Sequence, residues 1–302
     1  MKLNDYERTS LSEIFLWEKS KHTGFHKKIL EVLSRPAEEL IRKIGEDRFA
    51  EFEKHVERAV RTFISASTFT VNPQVIIRRA RQNGVMIESI ADIPYCDLKL
   101  LDECNRKHIK FHERASAIQG GVAGLGGFLT SMADLATVLV SMFHMVQEVA
   151  YCYAYDPNNL VEKQIIIHIV TAGLGNSQVK FKSLAEIRKL EKVTGRRRQA
   201  TIHKTRVLGG KAINEAVETI TVSLMGRLLK RAVPILSVAV SAHNNHEIME
   251  HAGNTAFMVY RRRFIQRKPK LRHACPAGAG RHKARSTGST LSTPRRSRKQ
   301  SV

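Results

Sequence analysis

Aromatic residues are scarce, at 6% of the chain, with a single tryptophan, Trp17. Alternating β-branched and aromatic runs are rarer still, and no pair of them brackets a hairpin turn. That excludes a β-sandwich or barrel, which needs many short strands of this kind. The four cysteines, Cys96, Cys104, Cys152 and Cys275, lie far apart with no C-x-x-C spacing. A disulfide framework and a zinc ribbon are therefore not expected, and a reducing compartment is. No apolar core follows the opening MKLNDYERTS, so no signal peptide is expected. No G-x-x-x-x-G-K-[ST] loop and no G-x-S-x-G elbow occurs. Acidic residues are outnumbered, 28 Asp and Glu against 50 Lys and Arg, which leaves a net charge of +22. The 302 residues, 42% of them hydrophobic, are enough to build one large core.

What the chain does have is one long uncharged stretch. Residues 115–133 carry no charge and include five glycines: Gly120, Gly121, Gly124, Gly126 and Gly127. From Leu135 to Val149 the sequence is apolar nearly all round, which marks a core helix or one in lipid. Asp134 stands between the halves, where it reads as an N-terminal cap of the apolar helix. The glycines at spacings of three and four would let another backbone approach closely. Neither half fits a membrane span well, because the first is modestly hydrophobic and the second is short. The pattern predicts a tight helical hairpin at the centre of the fold.

The rest of the chain reads as helices. Ser10 and Glu13 fit a capping box. Phe49, Phe52, Val56, Val60 and Phe63 recur at helical intervals. A short basic helix spans Gln74 to Arg81, and short turns fill Ile87 to Leu101. Leu100 to Ala117 feeds the hairpin, and Asp156-Pro157 closes it. Further helices begin at Leu160 and near Ser183, and another follows the Ile213, Val217, Ile220, Leu224 pattern. Asn254 to Phe264 is the last predicted helix. From Gln266 onward there are eleven Lys or Arg and no acid, amid Pro, Gly, Ser and Thr, which predicts a disordered basic tail. The fold class is all-α: a multi-helix bundle around a glycine-rich apolar hairpin. The divisions are an N-terminal helical extension (1–29), a helical domain (30–265) and the tail (266–302).

The run GGVAGLGGFLTSMADLATVLVSMFHMVQEVAYCYAYD resembles the centre of EcsC-family proteins. In that pattern a glycine-rich segment leads to an Ala-Asp pair, a long apolar helix, and a turn with Tyr and Asp. The matching positions are Gly120, Gly121, Gly124, Gly126, Ala133, Asp134, Tyr155 and Asp156. The short turns before the centre, the GRLLKRAVPILSVAV segment with Asn245, and the closing VYRRRF are also similar. The chain departs from the pattern at Ser237, Ala239 and Ser241, where glycines are usual. The resemblance implies an all-helical cytoplasmic protein with no assigned reaction. It also implies an accessory role beside an ABC transport or secretion system, since the founding member is encoded next to one.

Three clusters bear on chemistry. Cys104, His108 and His112 lie at i, i+4 and i+8; neighbours are close enough to share an ion, but the outer two sit about 12 Å apart along a helix. Cys96 is the candidate for a further ligand, and the ordinary reading is a partly exposed polar face. His144 and Glu148 form a second i, i+4 pair, which with Asp134 and His168 makes the candidate set for an acid–base pocket. His243, His246 and His251 form the third cluster, without a supporting Cys or carboxylate set. No metal and no cofactor is expected. Basic runs at Arg196, Arg197, Arg198, Arg261, Arg262, Arg263, Arg267, Lys268, Arg295 and Arg296 are candidate anion-binding groups. Their lack of interleaved aromatics suits phosphate contact without base readout.

The functional expectation is a non-enzymatic cytoplasmic protein held peripherally on the inner membrane face, with an anionic lipid surface as partner and ABC transporter components as partners by resemblance. A hydrolase-type enzyme and a nonspecific nucleic-acid binder acting through the tail are the alternatives.

Overall fold

The computed structural model describes residues 3–20, 41–42, 45–65, 71–123, 127–196, 210–231 and 237–274, with side chains outside 121–132, 193–196, 210–212, 227–241 and 268–274. The described helices are α1 (Asp5–Lys19), α2 (Glu46–Ser65), α3 (Pro73–Gln82), α4 (Leu98–Ala123), α5 (Gly127–Cys152), α6 (Leu160–Leu174), α7 (Ser177–Arg196), α8 (Gly210–Arg231) and α9 (Ser237–Ala274). A 3-10 turn, Ile90–Tyr95, precedes α4. No strand occurs among the described residues, as an all-α sequence requires.

Local chemistry sets several boundaries. Asn4, not Ser10, caps α1: its side chain accepts from the Glu7 amide, and the Glu7 carboxylate returns the bond to Asn4 N. Ser10 sits inside the helix and donates to Tyr6 O at 2.6 Å. Pro73 opens α3 behind the Asn72 cap. α9 is longer than expected: it runs unbroken for 38 residues where periodicity suggests a segment near Asn254–Phe264. Its 237–250 half is rich in small and polar residues, so its helical period is faint in the sequence; packing against α4 holds it.

α5 is the core helix, with α2, α3, α4, α6, α8 and α9 packed around it. Leu135, Val138, Leu139, Met142, Phe143, Val146 and Val149 are all buried, and the Phe143 ring stacks on Phe63 of α2 at 4.5 Å. α5 is also the one described segment, at Ala133–Cys152, long and apolar enough to cross a membrane; 72% of its apolar window is buried inside the protein. α6 meets α9 closely at Gly173, where a Cβ would lie 2.7 Å from the Ala252 Cα.

Arg261, Arg262 and Arg263 do not form an anion-binding surface. Three successive helical positions point about 100° apart, and each guanidinium finds its own carboxylate inside the bundle. Arg261, only 2% exposed, lies 2.6 Å from Asp102 of α4 and 2.6 Å from Glu13 of α1. Arg262 pairs with Glu18 of α1 and Glu191 of α7. Arg263 donates twice to Glu162 of α6, at 2.5 and 2.8 Å, and Tyr260 OH donates to the same carboxylate. Arg267 donates to Ala154 O. Burial pushes the Asp102 carboxyl up, opposed by hydrogen bonds from Tyr153 and Tyr6 and by the Arg261 charge. α9 carries residues 266–274, where a disordered tail is expected, while the side chains of Arg196 and Lys268, the whole of Arg197 and Arg198, and the tail beyond Ala274, Arg295 and Arg296 included, lie outside the described residues.

Lys180 of α7 closes the end of α1, donating to Trp17 O at 2.6 Å and Ser20 O at 3.2 Å. With Glu13 and Glu18 also engaged, α1 is part of the packed bundle.

Glu162→Ala, which leaves Arg263 only its 3.3 Å contact with Glu191 and removes the acceptor of the Tyr260 hydroxyl, should lower the unfolding free energy by about 3–5 kcal/mol in a urea titration. Gly173→Ala should cost about 1–3 kcal/mol, because the new Cβ would meet the Ala252 backbone and α6 must shift from α9.

Candidate functional site

The central polar site is built where α4, α5 and α3 meet. His108 and His112 are one turn apart on α4, and His144 and Glu148 one turn apart on α5. Because the helices pack side by side, both pairs face each other. Glu148 is buried and is the hub. His112 Nε2 lies 2.6 Å from its Oε2, His144 Nδ1 lies 3.7 Å from the same oxygen, and His108 Nε2 is also in contact with it. Arg79 of α3 donates through Nη1 to Glu148 Oε1 at 3.0 Å and to His108 Nδ1 at 2.9 Å. His108 therefore accepts at Nδ1 and carries its proton on Nε2.

The electrostatics follow from burial and this pairing. Burial by itself would raise the Glu148 carboxyl; the hydrogen bonds and charge of His108 and His112 outweigh it and hold the group well below the usual carboxylate range. Burial pushes the His108 and His144 imidazoles below their ordinary value, so both favour the neutral form. The site is thus an ionised carboxylate that accepts from the Nε2–H of His108, with Arg79 as the permanent cation.

A cleft of about 220 Å³ opens beside it, lined by Arg79, Cys104, Lys107, His108, Phe111 and Cys152 among others. Burial raises both thiols, Cys152 the more strongly, so neither is poised as a thiolate nucleophile.

His144 and Glu148 come together as the pair their spacing suggests. Asp134 and His168 do not join them. Asp134 lies on α5, 14 residues or about 21 Å along the axis from Glu148. It is not a helix cap either, because α5 starts at Gly127, one turn and more before it. Its buried carboxylate accepts from Gln119 Nε2 at 3.0 Å and Asn245 Nδ2 at 2.8 Å, tying α4, α5 and α9 together. His168 sits on α6 under the influence of Glu186, Lys182 and Glu215. Of the Cys104, His108, His112 trio, the two histidines converge, and the third partner is Glu148 rather than Cys104. Cys96 Sγ is engaged with Asp92 O instead. His246 and His251 face Glu113, Glu250 and Glu247 separately. The sequence places His108 and His112 in one cluster and Glu148 in another, and gives no signal for Arg79, which reads locally as one of three arginines on a short basic helix.

Among the other motif positions, Gly120 is buried near the end of α4 and Gly121 continues that helix. Gly124 and Gly126 lie outside the described residues. Ala133 is exposed. The Tyr155 ring packs under Arg263, 3.9 Å from the guanidinium, and Asp156 accepts from Asn158 N and Tyr151 OH in the turn.

An all-helical bundle is the fold class that the EcsC resemblance implies. The family model described as "EcsC protein family" matches residues 8–265, and the chain belongs to that family. The match begins within α1. The chain is also similar to "Uncharacterized protein YdbA" of Bacillus subtilis (strain 168), 24% identical over 263 residues, covering 86% of this chain and 93% of the relative. No solved structure matches.

Glu148→Ala should cost about 3–5 kcal/mol of stability, since it leaves Arg79, His108 and His112 facing a void. Glu148→Gln, which keeps an acceptor oxygen, should cost less. Chemical denaturation of the two variants side by side checks the order.

Proposed function

We propose that the protein is a peripheral membrane protein of the cytoplasmic face, non-enzymatic, with the α4–α5 hairpin as its lipid-contacting element. The supporting observation is the outward stripe of α4. Phe111 is 59% exposed and Ile118 72% exposed, two helical turns apart on one side, with exposed Ala115 between them. Lys110 and Arg114 are exposed beside them. An apolar ridge flanked by cations suits the boundary between acyl chains and anionic headgroups. Each cation near such a surface adds about 1 kcal/mol at most, weakened by salt. Contact is shallow in this reading, because α5 is occupied as the core. A role beside an ABC transport or secretion system rests on the family resemblance alone.

A second reading, a hydrolase-type enzyme, is favoured by the convergence of three histidines on Glu148 next to a cleft. A third, nucleic-acid binding, depends on the tail, and loss of a gel shift on deleting residues 266–302 would be its signature.

Flotation of the full chain with anionic vesicles should be strong at low salt and should fall at least tenfold in Phe111→Ser/Ile118→Ser. It should survive deletion of residues 266–302. No flotation of the wild type, or flotation abolished by the tail deletion alone, would reject the α4 stripe as the attachment site.

A further inference from the structure

We infer that His108, His112 and Glu148 form a binding site for a divalent transition-metal ion of the zinc class. The reading goes beyond membrane attachment and does not depend on it. Three observations carry it. First, one ligand atom from each residue lies within 4.8 Å of the other two, and this is the one such group of three among the described residues. Second, the donor set is the right one: two histidines one turn apart on a single helix and a carboxylate from a neighbouring helix match the His₂Glu sets of zinc sites that keep an open position. Third, the ligand atoms converge on one point: His108 Nε2, which is buried, and His112 Nε2 both face the same Glu148 oxygen, Oε2.

The fit needs only side-chain movement. A tetrahedral ion holding nitrogen and oxygen ligands at about 2.0–2.2 Å sets them about 3.3–3.5 Å apart. His112 Nε2 and Glu148 Oε2 are now 2.6 Å apart, so they must part by less than an ångström. The fourth position faces His144, whose Nδ1 is 3.7 Å from the same oxygen and whose side chain reaches solvent. His144 or a water completes the set.

Arg79 is the opposing element. A histidine bound to a metal through Nε2 carries its proton on Nδ1, so His108 can no longer accept from Arg79. The guanidinium must release His108 while it retains Glu148 Oε1, and its charge repels the incoming ion. Arg79 therefore restrains affinity. In Arg79→Gln the repulsion is gone, and the amide oxygen can accept from His108 Nδ1–H as an outer partner that fixes the ring.

The test is titration of the purified, metal-stripped full chain with Co(II), followed by its visible d–d absorption, with Zn(II) in competition. One equivalent should bind with the intense band of four-coordinate cobalt and be displaced by Zn(II). His112→Gln should weaken that band's titration at least tenfold, and Arg79→Gln should tighten it severalfold. Circular dichroism reports whether His112→Gln remains folded. If it does not, the Arg79→Gln comparison and the Zn(II)-induced rise in wild-type Tm decide. No four-coordinate band in the wild type, an unchanged titration in folded His112→Gln, or weaker binding in Arg79→Gln would each overturn the assignment.

Discussion

Buried charge must find its counter-charge, and in this protein that requirement is concentrated at one place on α9. Arg261, Arg262 and Arg263 are consecutive, buried and each matched to acids from different helices: α1 and α4, α1 and α7, α6 and α7. Removing a guanidinium from water is costly, and the cost is offset only if the carboxylates arrive in register. The triplet thus acts less as a source of net stability than as a registry device: α1, α4, α6 and α7 have one arrangement in which all three cations are neutralised. The close approach at Gly173 and the Arg267 contact with Ala154 O follow along the same helix.

The second buried charge, Glu148, follows the same logic with an uneven outcome. One fixed cation, Arg79, neutralises it, yet three imidazoles also crowd its oxygens. A structural ion pair would need none of the three. Burial keeps His108 and His144 in their neutral form, so they contribute lone pairs and N–H groups rather than charge. This excess of donors around one carboxylate, next to a cleft, sets the site apart from the arginine triplet.

Three positions that carry the family resemblance, Asp134, Tyr155 and Asp156, hold helices and a turn together. Asp134 and Asn245 are 111 residues apart and hydrogen-bonded to each other, joining α5 to α9. Tyr155 and Asp156 shape the turn after α5 and receive Arg263. A buried carboxylate such as Asp134, held by two amide donors, is a tie between helices, which explains why it looked like a cap when read alone.

Helical periodicity, apolar length and the position of Asn and Pro residues by themselves determined the class, the helix order and the identity of α5 as the core. These are local properties, because a helix's period and its first-turn hydrogen bonds are written within a few residues. Where the period was faint, as in the small-residue half of α9, the extent of the helix came from packing. Charge was read least well. Arg261–Arg263 look like a solvated basic run because their acids lie as much as 248 residues away, at Glu13. His112 and Glu148 look unrelated at 36 residues apart. Only the tertiary structure decides which side chains share a buried volume, and a side chain's partner, not its neighbours in sequence, sets its charge state and its chemistry.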